Sequence, residues 1–205
     1  MNKILVMGIG SRIMMDDGIG IYLVEDLKKH IVSPHIEFII GESDFDYCNS
    51  KLSKGDFIIV IDAYLSGKDT GDIVITPIGN LNKFGDDHYS MHGMHFLQSE
   101  LDGILIGIEP HEINYGFSLS DKLQELYETI LGQVKKEVEL MHDTFLLKRI
   151  SESLNELCSK NRIIRVRKMR IITNNNQQFS LCIYNINNLP TWQHKSSKHV
   201  AFSHL

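Results

Sequence analysis

Short β-branched apolar runs alternate with amphipathic segments through the first 150 residues, and no other feature constrains the fold as tightly. "KILVMG", "HIEFII", "DFIIVIDA", "GDIVITPI" and "GILIGIEP" have the length and Val/Ile content of strands, buried on both faces where most apolar. Between the first two, Ile19, Tyr22, Leu23 and Leu27 fall at helical spacing, with acids ahead and Lys28, Lys29 and His30 behind. That polarity suits the helix dipole. "DFDYCNSKLSK" predicts a short helix, "NLNKFGDDHY" a loop and "SMHGMHFLQSEL" a further helix. A long amphipathic helix is expected from about Asp121 to about Leu147. Strands that alternate with helices predict a three-layer α/β/α sandwich with a mainly parallel, twisted sheet. "DFIIVIDA", the most apolar run, should be central, and Pro77 places "GDIVITPI" near an edge.

The expected domain is residues 1–150, with 151–205 as a basic C-terminal extension of unassigned role. The extension holds eight Lys/Arg against two Asp/Glu, which leaves 13 against 24 in residues 1–150 out of totals of 21 and 26. The body is thus near −11 and the extension near +6. An acidic body argues against nucleic-acid binding. "NRIIRVRKMRIIT" and "FSLCIYNI" are expected to pair as a β-hairpin around "NNNQQ", followed by a disordered tail. The longest apolar run is about half of the roughly 20 residues that a membrane span needs. The first ten residues have one lysine and no cleavage-site pattern, so they read as a buried strand rather than a signal peptide. Three scattered cysteines, Cys48, Cys158 and Cys182, fit neither a disulfide framework nor a CxxC zinc motif and suit a reducing cytoplasm.

The first strand runs into "GIGSRIMMDDGIG", a glycine turn that could open a nucleotide-binding unit. Ile13 occupies the third glycine position of G-x-G-x-x-G, no G-K-[ST] occurs, and Asp16 and Asp17 would repel a pyrophosphate. A nucleotide-binding α/β domain therefore remains only an alternative. Asp16 reads as a helix cap. Asp17 after the first strand, Asp62 closing "IIVI" and His92 in "SMHGMH" carry metal-ligand chemistry. Two carboxylates and an imidazole suit zinc, nickel or a similar ion and leave positions open for another ligand.

These residues resemble the hydrogenase maturation endopeptidases, which process the large subunit of [NiFe] hydrogenases. "ILVMGIGSRIMMDDGIG" is similar to the family's opening G-x-G-N followed by D-[DE]-x-x-G; "VIDA", "SMHGM" and "GIEPHEINYGFSLSDKL" resemble its later blocks, in order, over residues 3–124. The resemblance implies an α/β/α sandwich with Asp17, Asp62 and His92 as ligands. It also implies removal of a C-terminal peptide from the precursor after nickel insertion, the substrate-borne nickel being the recognition signal. Asp17 and Asp62 are the candidates for a catalytic base, and Glu109 and Ser120, in the fourth block, for substrate binding. A monomeric cytoplasmic enzyme with the large-subunit precursor as partner follows, with no nucleic acid and no membrane. A non-catalytic metal- or protein-binding member of the same fold is the other alternative. Three departures stand out. Ser11 and Arg12 replace the family's asparagine and its neighbour, "GESDFDYCN" differs from the family's block after the second strand, and "KNRIIRVRKMR" onwards has no counterpart.

Overall fold

The computed structural model of the chain describes residues 3–83, 102–159, 169–172 and 178–181. A five-stranded sheet is built from β1 (Ile4–Ile9), β2 (Ile36–Glu42), β3 (Phe57–Ala63), β4 (Ile73–Pro77) and β5 (Asp102–Ile108), in the order β2-β1-β3-β5-β4. The β1–β2, β1–β3 and β3–β5 pairs are parallel, and β4 runs antiparallel to β5 at the edge. β3 is therefore the central strand, and Pro77 ends an edge strand, where its missing N–H removes no ladder bond from the interior. All six residues of β1 and all but the first of β3 are buried. Burial on both faces is why these segments read as continuous apolar runs.

Helices lie on both faces. α1 (Ile19–His30) packs on β1, β2 and β3 through Ile19, Ile21, Leu23, Val24 and Leu27. Tyr22, expected on that inner face, is half-buried, and Ile21 is buried instead. The reason is Gly20. A Cβ there would lie 2.1 Å from the Ile61 carbonyl oxygen and 2.7 Å from that of Ile9. Only glycine lets the first turn of α1 come this close to β1 and β3, and that closeness buries more of the turn than one stripe. Side chains alternate across a strand. Gly8 meets α1, so Leu5, Met7 and Ile9 face the other way, into a cluster with Cys48 of α2 (Phe45–Ser50), Val60 and Leu105. That gives the α/β/α layering.

α3 runs from Asp121 to Ser159, about three turns beyond its expected end. No glycine or proline occurs after Gly132 in this stretch, so nothing local stops the helix. The chain divides into two compact units, Met1–His142 and Asp143–Leu205. In the second, β6 (Met169–Ile172) and β7 (Gln178–Leu181) pair antiparallel with Met169 opposite Leu181, the expected hairpin. The expected loop from Asn80 starts inside a 3-10 helix, Ile78–Lys83, which carries the chain off the edge strand. The helix expected in "SMHGMHFLQSEL" and the tail expected to be disordered lie outside the described residues. No described helix is long and apolar enough to cross a membrane.

Candidate active site

The carboxyl ends of β1 and β3 lie side by side, with Gly8 paired to Ile61, so the residues that follow them meet at one edge of the sheet. In open α/β sheets this edge is where ligands bind. Asp62 is the next residue of β3 and is fully buried. The chain leaving β1 turns at Gly10, whose φ is +130°, and a Cβ there would meet the Asp17 carbonyl oxygen at 1.9 Å. A 3-10 turn, Met15–Gly18, then carries Asp16 and Asp17 and packs against β3. Asp17 is 1% exposed. The structure thus brings Asp17 and Asp62 to the same sheet edge. His92 lies outside the described residues. Among the described residues, no group of three or more His, Cys, Asp or Glu side chains is gathered to hold a metal ion.

Asp16 does not cap a helix, contrary to expectation: no side-chain cap bond is made at the start of the 3-10 turn or of α1. Its fully buried carboxylate instead accepts four hydrogen bonds from a loop about a hundred residues away. The backbone N–H groups of His111 and Glu112 donate to Oδ2 at 2.9 Å, Ser120 N–H to Oδ1 at 2.7 Å and Ser120 Oγ to Oδ2 at 2.8 Å. Such charge-assisted bonds are the strong kind. The middle of the loop is also held, by Gly116 N–H to the Ile13 carbonyl at 3.0 Å and Met15 N–H to the Gly116 carbonyl at 3.2 Å. Met15 takes a left-handed φ of +49° to make this turn, a conformation that the surrounding bonds impose.

Glu109 and Ser120, expected to touch substrate, are both buried and both bonded within the protein. Glu109 Oε2 accepts from Ser66 N–H at 2.7 Å and Ser66 Oγ at 2.5 Å, which pins the segment that leaves β3 after Asp62. Ser120 starts α3: its Oγ accepts from Leu123 N–H at 3.3 Å and its carbonyl from Gln124 N–H at 2.9 Å. Arg12 is committed to two carboxylates, donating to Glu25 at 2.7 and 3.2 Å and to Glu42 at 3.2 Å, and it stacks over the Tyr22 ring at 5.3 Å. At the end of β2, Glu42, Ser43, Asp44, Phe45 and Asp46 line a cavity of about 530 Å³, within the segment that departs from the family pattern.

The same architecture occurs in a hydrogenase maturating endopeptidase, HybD of E. coli, with a TM-score of 0.54 and 22% identity over 64% of this chain and 89% of that one. At that identity the likeness establishes the fold. No protein-family model matches the chain. In sequence, the hydrogenase expression/formation protein HupD of Thiocapsa roseopersicina is 29% identical over 136 residues, 60% of this chain and 62% of that protein. A putative hydrogenase maturation protease of Methanocaldococcus jannaschii is 26% identical over 132 residues, 55% and 75% of the two chains. The chain is thus similar in sequence to hydrogenase expression/formation and maturation proteins and shares the fold of a maturating endopeptidase. It spans less than two thirds of the length of the HupD relative. Of the three expected ligand positions, two lie within the described residues, Asp17 and Asp62, both buried at one sheet edge. What sequence reasoning missed is the clamp that Asp16 forms. Its only sequence signal is the doubled aspartate, which does not reveal a partner a hundred residues distant.

Proposed function

We propose that this protein is an endopeptidase that removes a C-terminal peptide from the large-subunit precursor of a [NiFe] hydrogenase after nickel insertion. The observation that carries the reading is the pair of buried carboxylates, Asp17 and Asp62, at adjacent strand ends in segments that match the family's blocks. Burying two carboxylates at one edge is costly unless a cation or hydrogen-bond donors compensate, and a cation carried by the substrate is the compensation this reading assigns. Oxygen donors joined by the imidazole of His92 suit a borderline ion that keeps other ligands on its own protein. The nickel is part of the substrate: Asp17, Asp62 and His92 approach it and fix the precursor's scissile segment over the cleft. Asp17 or Asp62 takes the proton from the attacking water. Glu109 and Ser120 then act on substrate through the loops they hold. The hypothesis predicts a protein without a membrane span that works on a cytoplasmic precursor.

The test is to incubate the protein with nickel-loaded and nickel-free precursor and to follow the size of the large subunit. Only the loaded form should be shortened. Cleavage of both forms alike, or of neither, would sink the proposal. Asp17→Asn and His92→Ala should each abolish processing while the far-UV spectrum and melting temperature stay close to those of the parent. Undiminished processing by either variant would move the site elsewhere.

A further inference from the structure

The loop that Asp16 clamps carries two aromatic side chains into solvent. Tyr115 is 67% exposed and Phe117 71%, and their rings meet edge to face with centroids 5.6 Å apart. Ile13, 48% exposed, lies on the strand-like segment that bonds to this loop, where Met14 pairs with Gly116 in a parallel bridge. Three exposed apolar side chains thus occupy two segments joined backbone to backbone. Soluble proteins expose single apolar side chains routinely, but a contiguous group of aromatics marks an interaction surface.

Two further observations bear on what that surface binds. First, the loop is tied at several points although its side chains are exposed. Asp16 holds both of its ends, and Ile13 and Met15 hold its middle. A preorganised aromatic platform loses little entropy on binding. Second, Phe117 is also the lip of a cavity of about 300 Å³ whose walls include Tyr22, Leu119, Tyr127, Glu25 and Asp26. Glu25 already pairs with Arg12, and Asp26 with Lys29. Both carboxylates are thus already engaged within the protein.

We infer that Ile13, Tyr115 and Phe117 form a docking platform for an apolar, extended segment of the protein substrate. The occupant is the substrate because the platform and the site share a backbone: Ile13 stands four residues before Asp17, and the loop is bonded to Asp16 itself. A chain bound at this sheet edge is therefore within reach of the platform. The inference rests on the proposed processing of a precursor, and its test separates the two.

Tyr115→Ser/Phe117→Ser is compared with the parent chain on the nickel-loaded precursor, with Val32→Ser, a distant exposed apolar position, as control. KM should rise about tenfold or more with kcat within about twofold, while the control leaves both unchanged. An unchanged KM, or a fall in kcat alone, would overturn the platform. Direct binding of the uncleaved precursor is measured in parallel. If the parent binds but does not cleave, the protease reading fails. The platform then stands if the double variant binds about tenfold more weakly, and falls if it binds equally. Sedimentation provides a last arm: if the parent self-associates and the double variant does not, the surface is a self-interface and the inference is wrong.

Discussion

The residue that organises the site is not one of the expected ligands but their neighbour. The placement of Asp62 was legible because it closes an apolar run, and that of Asp17 because it follows the glycine turn after one; a strand's carboxyl end in an α/β sheet faces a cleft. Asp16 was not, because a carboxylate that accepts bonds from His111, Glu112 and Ser120 has the same local sequence as one that caps a helix. Asp16→Asn puts an amide donor where these N–H and O–H donors need an acceptor. It should cost about 2–4 kcal/mol in urea unfolding, since several bonds to a buried charge are lost together. Processing should fall as well, although Asp17 is untouched, because the turn that carries Asp17 loses its anchor. Parental stability in Asp16→Asn would show that the clamp is not what fixes this turn. Gly10 was legible only as a turn residue; its close approach to the Asp17 carbonyl is a tertiary fact that no spacing encodes.

At the scale of elements, strand positions followed directly from composition because β1 and β3 are buried on both faces and so show no polar interruption. The end of α3 did not, because the helix formers that stabilise it continue past the point where the core stops needing it. α1 and α3 are tied at their polar flanks. Tyr127 donates to Asp26 at 2.8 Å, and Lys29 donates to the other carboxylate oxygen at 2.6 Å. The Lys29 bond, reinforced by that from Tyr127, holds the Asp26 carboxyl below its ordinary value of 3.8, with partial burial working in the opposite direction. A depressed carboxyl pKa stabilises the fold above the unfolded-state value and loses that effect as pH falls through the folded-state one. Asp26→Asn should therefore be less stable than the parent by about 1 kcal/mol or less near neutral pH, since Lys29 is largely exposed and the pair is screened. The gap should narrow once the pH drops below 3.8. Urea titrations across that range measure it, and a gap that stays constant would contradict the assignment.

At the scale of the whole molecule, the resolvable core is confined to one part of the chain. Among the described residues, buried apolar side chains run from Ile4 to Val138, and the first compact unit closes at His142. The charge follows the same division. Residues 160–205 hold eight Lys/Arg and no Asp/Glu, so their removal would take the net charge from −5 to about −13. That increment adds self-repulsion to an already acidic body, which is the one electrostatic reason to expect a loss of stability. Spread over a surface at physiological salt, where charges more than about 8 Å apart are screened, it is small beside the burial of the sheet. A chain ending at Ser159 retains all of α3 and every apolar residue that is buried among the described ones, and its melting temperature should lie within about 3 °C of the parent's, a change below about 1 kcal/mol. It should process nickel-loaded precursor at a rate within about twofold of the parent, because Asp17, Asp62, His92 and the aromatic platform all precede the cut. Unfolding of the shortened chain would instead mean that residues 160–205 complete the core. A selective rise in KM that disappears as salt is added would assign the cationic extension to capture of an acidic precursor.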